Sequence, residues 1–287
     1  FGCDDSIFIM RGDPMQNGQI DVVTEGVGMA FGTSWAKDDA GNVLFVSNDG
    51  HAYIYRPGAI PIPISESRIG GRLSTIDFST KYVALDWDKR YRGLRVFVIP
   101  FTPGSSVIEH YFLERTSGEW KAGVTPGNSA WWPDTYQDTA SQVSAVASVN
   151  GDLADDRETL IGTSDGFLRF FDPDTQDDAG TNIDAHVLYG PVIPPDDPYR
   201  YRVRGPHVTL AGDQAECNWE LLASDNPDVL GERVVRGRLA PGRNALKSGK
   251  VKGGQVFVRL RNSGSTRFAV ESVSVRAFRA GRKSVVR

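Results

Sequence analysis

Hydrophobic positions in this chain come in short runs rich in Val, Ile, Phe, Tyr and Thr, separated by Gly, Asp, Asn and Pro. Side chains of a strand alternate between two faces, and β-branched and aromatic residues suit a pleated surface. The runs Val43–Val46, Tyr53–Tyr55, Tyr82–Trp87, Leu94–Pro100, Val107–Leu113, Val143–Val149, Thr159–Gly162 and Phe167–Phe171 therefore predict strands. No segment of about 12 residues repeats its apolar positions with a helical period, which leaves room for a helical turn or two. The predicted fold class is all-β.

The runs repeat. Val46-Ser47-Asn48-Asp49-Gly50-His51-Ala52-Tyr53-Ile54-Tyr55-Arg56-Pro57 aligns without gaps on Gly162-Thr163-Ser164-Asp165-Gly166-Phe167-Leu168-Arg169-Phe170-Phe171-Asp172-Pro173. Each copy reads as a strand, an Asp-Gly hairpin turn in which Gly supplies the positive φ, and an aromatic strand that stops at Pro. A divergent copy lies between them: Leu94–Phe101, a turn at Pro103-Gly104-Ser105-Ser106, Val107–Leu113, then Thr116-Ser117-Gly118-Glu119 and Trp120. Turns near residues 50, 105 and 166 give intervals of about 55 to 60 residues, the length of a four-stranded β-propeller blade. Propellers close with about four to eight blades, so three leave sheet edges for further blades or another chain to cover. The expectation is an assembly.

Gly190-Pro191-Val192-Ile193-Pro194-Pro195-Asp196-Asp197-Pro198 predicts a stiff linker. Beyond it, strands are expected at Tyr199–Ala211, Cys217–Ala223, Val234–Leu239, Gln255–Arg261 and Arg267–Phe278, making a small β-sandwich or barrel. In the last strand the apolar phase slips by one residue, from Phe268/Val270 to Val273/Val275/Ala277, which predicts a bulge near Glu271-Ser272. The expected organisation is 1–190 propeller-like blades, 191–198 linker, 199–281 sandwich and 282–287 basic tail.

Composition changes this picture little, and charge changes it more. The 287 residues are 40% hydrophobic and 24% charged, with 31 Gly, 16 Pro and 2 Cys, which excludes disordered, collagen-like and disulfide-scaffold chains. No apolar run reaches membrane-spanning length, and Phe1-Gly2-Cys3-Asp4-Asp5 has neither the basic start nor the apolar stretch of a signal peptide. Opening on Phe1 directly before the strand-like Ile7-Phe8-Ile9-Met10 suggests the C-terminal part of a longer or processed polypeptide. Cys3 and Cys217, far apart, are expected as free thiols in a reducing compartment. The net charge of −4 is a cancellation. Residues 1–199 hold 14 Lys+Arg against 29 Asp+Glu, net −15, and residues 200–287 hold 18 against 7, net +11. Such a split fits two modules with different electrostatic neighbours, one of which could face the other's surface on an adjacent subunit; it also fits modules that are each solvated on their own.

Motifs for catalysis are missing from the sequence. His51, His110, His186 and His207 have no metal-ligand spacing and read as structural residues. No GxSxG elbow, Walker loop or CxxC occurs, and Gly26-Val27-Gly28-Met29-Ala30-Phe31-Gly32 is one residue too long for a dinucleotide fingerprint. The acidic segments Asp152–Glu158 and Asp172–Asp178 could offer oxygen ligands to Ca²⁺; the latter has Asp at offsets 0, 2 and 5 but lacks the loop glycine and the distal Glu, and solvated turns are expected for both. Arg11-Gly12-Asp13 fits a turn. Arginines make up 24 of the 32 basic residues, among them Arg200, Arg202, Arg204, Arg233, Arg236, Arg238, Arg259 and Arg261. With Tyr201 and Phe257 these could meet phosphates, but alternate placement along strands equally suits carboxylate partners. No catalytic residue, metal ligand or cofactor is assigned.

Several stretches resemble the late propeller blades of bacteriophage tail structural proteins: Phe8-Ile9-Met10-Arg11-Gly12-Asp13-Pro14, Gly26-Val27-Gly28 through Trp35, Val43–Gly50, and Leu85-Asp86-Trp87-Asp88 with Arg92–Phe97. The last module, through Arg204–Val208, Pro241–Asn244, Arg259–Arg261 and Arg267–Val273, is similar to the β-rich C-terminal domain of such proteins. The type it resembles is the tail nozzle, or tail tube protein, of short-tailed phages. That resemblance implies a non-enzymatic virion component, assembled in the host cytoplasm as a homo-oligomer, a hexameric ring, beside other tail proteins such as an adaptor or fibre, with phage DNA passing transiently. The alternatives left open are a receptor- or glycan-binding propeller-type tail component, with Trp131, Trp132 and Tyr136 gathered in one pocket, and a tail-associated hydrolase with two close carboxylates in a cleft.

Overall fold

The computed structural model describes residues 1–65, 69–104, 108–114, 130–136, 142–152, 157–172, 175, 177–178, 180–192, 199–212, 216–225, 231–247, 251–264 and 266–282. Several expected features lie outside these residues: the turn 116–119 with Trp120, most of the proline-rich stretch, the middle of the acidic segment 152–158, and residues 283–287 of the tail. The chain is all-β, and its sheets are antiparallel throughout. Helical structure among the described residues amounts to a 3₁₀ turn, Pro14–Gln16, and the single-turn α1, Gly70–Leu73.

Two compact units divide the chain, residues 1–173 and 174–287. In the first unit, β1 (Ser6–Arg11) and β2 (Gln19–Glu25) form a hairpin. A four-stranded meander follows, β3 (Trp35–Lys37), β4 (Val43–Val46), β5 (Ala52–Tyr55) and β6 (Ile62–Pro63), then a second, β7 (Lys81–Asp88), β8 (Gly93–Pro100), β9 (Glu109–Glu114) and β10 (Ala130–Thr135). The last sheet of the unit is β11 (Val143–Asn150), β12 (Arg157–Thr163) and β13 (Leu168–Phe170).

These sheets stack face against face. Leu44, Val46, Ala52 and Ile54 of the first meander share a core with Val83, Leu85, Leu94, Val96 and Leu113 of the second. The opposite face of the first meander packs Phe45 and Tyr53 against Ile7 and Val23 of the hairpin, and the opposite face of the second packs Ala84, Phe97 and Ile99 against Val143 and Ile161. Two-sided burial explains why Tyr82–Trp87 and Leu94–Ile99 read as near-continuous apolar runs, whereas β12 alternates. The first strands of successive sheets are neighbours, β3 beside β7 and β7 beside β11.

The repeated Asp-Gly turns occupy one topological position, joining the second and third strands of their sheets. In the first, Gly50 has φ +77°, its N–H donates to Ser47 O, and the His51 N–H donates to Asp49 Oδ1 at 3.0 Å. In the other, Gly166 has φ +87°, its N–H donates to Thr163 O, and the Phe167 N–H donates to Asp165 Oδ1 at 3.3 Å. Tyr53 and Arg169 align with each other and serve one purpose. The Tyr53 hydroxyl donates to Asp49 Oδ2 at 3.0 Å, and Arg169 Nη2 pairs with Asp165 Oδ2 at 2.7 Å. Gly50 has a second constraint, since a Cβ there would lie 2.4 Å from the Ser74 Cα.

The second unit begins earlier than the proline-rich stretch suggested. After the short hairpin β14 (Asp177–Asp178) and β15 (Thr181–Asn182), β16 (His186–Tyr189) pairs with β22 (Gln255–Asn262), which places residues 174–190 with the second unit. One of its sheets runs β16–β22–β18–β19, with β18 (Cys217–Ser224) and β19 (Glu232–Leu239). The other is built on β17 (Tyr199–Leu210), which pairs with β20 (Gly242–Ala245), β21 (Lys252–Gly253) and β23 (Val270–Arg282). Both sheets bury their apolar faces in one core that holds Val203, Val208, Trp219, Leu221, Val258 and Leu260. Thr209 pairs with Ser272 and Leu210 with Val270, so Glu271 is the bulged residue that the phase slip predicts. On the structural boundary the charges are 14 against 23 for residues 1–173, net −9, and 18 against 13 for residues 174–287, net +5. The asymmetry keeps its sign but shrinks.

A paired substitution tests the stacked core. Ile54 is buried in it and Ile60, just beyond the same strand, is 76% exposed. Ile54→Ala is expected to lower the unfolding free energy by about 2 to 5 kcal/mol and Ile60→Ala by no more than about 0.5 kcal/mol, as read by urea denaturation.

Candidate functional site

Two concave places gather polar chemistry, one in each unit. In the first unit, a cavity of about 510 Å³ lies by the ends of β3 and β7 and is lined by Lys37, Asp38, Asp39, Asp86, Lys89 and Ser148. Its buried carboxylates are employed in holding the fold. Asp38 closes the β3–β4 turn, accepting from the Ala40 and Asn42 N–H groups at 2.9 and 2.8 Å and from Asn42 Nδ2 at 2.7 Å. Asp86 accepts from the hydroxyls of Ser148 on β11 and Thr159 on β12, a polar link between adjacent sheets. Nearby, Asp88 pairs with Arg95 Nε at 2.8 Å, and the Arg95 guanidinium lies 3.6 Å from the centre of the Phe171 ring. A hydrolytic pair needs carboxylates available to substrate. Asp38 and Asp86 spend their acceptors on structure.

In the second unit, the charged face of the β16–β22–β18–β19 sheet borders a cavity of about 740 Å³, lined by Asn218, Glu220, Arg233, Arg236, Arg238 and Arg261 among others. Glu220, buried on β18, receives Arg233 Nη1 at 3.2 Å and the Arg259 guanidinium. Burial raises its pKa, but the two guanidiniums outweigh this and hold the carboxyl below its usual range. Arg261 pairs with Asp184, and Arg200 with Asp225 at 2.8 Å. Among the described residues the alternate placement of arginines on strands thus gives carboxylate partners to four of the eight singled out in the sequence. Tyr201 is partly buried against the core and Phe257 is buried, so Phe257 offers no exposed ring for a base to stack on.

The remaining sequence candidates fall into structural roles. His110 is buried on β9, accepts the Val98 N–H at 3.1 Å through Nδ1, and lies between Phe97 and Tyr136, with ring centres 5.7 and 5.0 Å away. Desolvation pushes its pKa down to about 4, so it is neutral near pH 7. Asp13 caps the 3₁₀ turn by accepting the Met15 N–H at 2.8 Å, and Arg11 pairs with Asp21 at 3.0 Å, which ties both ends of the Arg-Gly-Asp triplet into the hairpin. The 26–32 glycine stretch opens no helix. A Cβ at Gly28 would fall 2.0 Å from Asp4 O, so glycine there permits a close backbone approach. His51 sits in the Asp49 turn, His186 is exposed opposite Arg261, and His207 lies within β17. Cys3 and Cys217 are both free, and burial lifts the Cys217 thiol to about 11. Trp131, Trp132 and Tyr136 do not share a pocket: Trp131 is buried against the first meander, donating to Ile64 O at 3.1 Å, Tyr136 belongs to the opposite core, and Trp132 is exposed. Among the described residues no group of three His, Cys, Asp or Glu is placed to hold a metal ion, and no helix is long and apolar enough to cross a membrane. No known protein family and no curated protein matches the sequence.

The depressed His110 pKa has a sign that can be tested. Between pH 6.5 and about 4 the unfolded chain binds a proton that folded His110 refuses, so stability falls as pH drops through that window. The loss is expected to reach about 3 kcal/mol by pH 4. Urea denaturation at pH 7, 5.5 and 4 is expected to show a steeper loss for the wild type than for His110→Gln, each compared with its own value at pH 7. Parallel losses would contradict the assignment.

Proposed function

We propose that the chain is a subunit of a ring-forming structural component of a bacteriophage tail, of the nozzle kind, contributing to the distal conduit through which DNA leaves the particle. On this reading the stacked sheets of residues 1–173 are propeller blades and the second unit is a β-sandwich. The reading draws on the tail-protein resemblance of the sequence, and one structural observation carries it. The stack ends on an apolar face at both sides. At the hairpin end, the face formed by Phe8, Met10, Ile20 and Val22 leaves Ile20 58% and Val22 52% exposed. At the other end, Ala145, Ala147, Val149, Leu160, Leu168 and Phe170 share one face, with Leu168 74% and Phe170 55% exposed. Sheets in the middle of the stack cover such faces with their neighbours.

A second copy can supply the missing neighbour. The two end faces differ, so the contact is head-to-tail, and such contacts close into a ring when the rotation per subunit divides the circle. The charge distribution suits a conduit. Carboxylates on the net −9 unit would repel phosphates and keep DNA mobile, whereas a basic lining would retain it in a salt-dependent way. On this reading carboxylates of the acidic unit face the channel.

Light scattering on the purified chain at tens of micromolar is expected to give the mass of a multimer, at least twice that of the chain. Leu168→Glu with Phe170→Glu, both at exposed positions, is expected to give a monomer whose circular dichroism is unchanged. A wild type that stays monomeric sinks the reading.

A further inference from the structure

The register of the β16–β22–β18–β19 sheet sorts its charged face into rows. His186, Arg261, Asn218 and Arg238 lie side by side across the four strands, and Leu188, Arg259, Glu220 and Arg236 form the next row on the same face. Adding Arg233, the face holds five guanidiniums. Among the described residues the carboxylates that meet them are Glu220, which serves Arg233 and Arg259, and Asp184, which serves Arg261, so five positive charges face two negative ones there. Arg236 and Arg238 are exposed, line the 740 Å³ cavity, and meet no carboxylate among the described residues. Neighbouring strands are about 4.8 Å apart, so the backbones of Arg238 and Arg261 stand roughly 10 Å apart on either side of Asn218. Arg261 directs its Nε and Nη2 to Asp184, which also lines the cavity, whereas Arg236 and Arg238 lie two residues apart on one face of β19, close enough to meet a single tetrahedral anion.

Edge strands often carry charge to discourage pairing with other chains, and β19 is an edge strand. Edge protection alone would be served by charges pointing anywhere into solvent. Here they ring a concavity whose one buried acid is already neutralised, so the excess potential falls inside the cavity. Guanidinium forks match the oxygens of a phosphate in pairs, and fixed like charges gathered in a concavity raise the local concentration of an anion. We propose that this cavity is a binding site for a phosphate group, held by Arg236 and Arg238 from β19, with Arg261 of β22, whose Nε and Nη2 meet Asp184, on the far side. Trp219, the aromatic residue in the lining, is buried and presents no exposed ring, so recognition rests on the phosphate itself, as carried by a small phosphorylated molecule or by a phosphodiester strand.

Calorimetric titration of the full chain at low salt separates these sources, with pyrophosphate and oligothymidylates of increasing length as probes. Pyrophosphate is expected to bind the wild type and Arg276→Gln, an exposed change on β23, equally well. Its affinity is expected to drop at least tenfold in Arg236→Gln with Arg238→Gln, and by less in the double lysine variant, which keeps the charge but loses the fork. Oligothymidylate affinity that rises with length and falls in the same glutamine variant identifies the source as a phosphodiester strand; affinity for pyrophosphate alone identifies a small phosphate. Absence of pyrophosphate binding to the wild type, or equal binding by the glutamine variant, overturns the proposal. Thermal melting of both double variants checks that the fold is intact. Oligomeric mass decides the ring reading and is blind to this cavity, so the two fail separately.

Discussion

The sheet β7–β10 is apolar on both faces, and the first unit depends on that property. A sheet with one apolar face needs one cover. This one has Leu94, Val96 and Leu113 on one side and Ala84, Phe97 and Ile99 on the other, and it is satisfied only between two further sheets. Each cover repeats the problem one layer out, because the first meander also buries Phe45 and Tyr53 against the hairpin. The stack therefore ends on exposed apolar residues at both outer faces, and the proposal of self-association rests on them.

Polar groups fix how the layers register once burial has brought them together. Asp86 reaches from the second meander to hydroxyls on two strands of the next sheet, and Trp131 donates across the other interface to the Ile64 carbonyl. The Asp88–Arg95 pair, nearly dry and capped by Phe171, would cost about 3 to 5 kcal/mol to break on one side because the surviving charge would stay buried. These links explain why carboxylates in the first unit's cavity contribute to architecture; burial in the same unit is what makes His110 give up its proton.

Local features of the sequence were legible where a local cause produced them. The Asp-Gly turns, the strand runs and the bulge at Glu271 follow from positive φ, two-residue alternation and a phase slip, all readable over a few residues. Features made by long-range register were not. The boundary moved to residue 173 because the four residues His186–Tyr189 pair with a strand about 70 residues later, a partnership that the prolines following them do not announce. The separation of Trp131 from Tyr136 follows from their opposite parity along one strand direction and could have been read. The convergence of Arg236, Arg238 and Arg261 on one cavity needed the pairing of three strands.

Hydrogen–deuterium exchange as a function of protein concentration tests the claim that the stack is completed by another copy. As concentration rises, exchange is expected to slow in the end-sheet strands Gln19–Glu25 and Leu168–Phe170 and to stay constant in Gly93–Pro100, which is covered within the chain. Exchange rates in the end strands that do not change with concentration, in a chain that remains folded, would contradict the account.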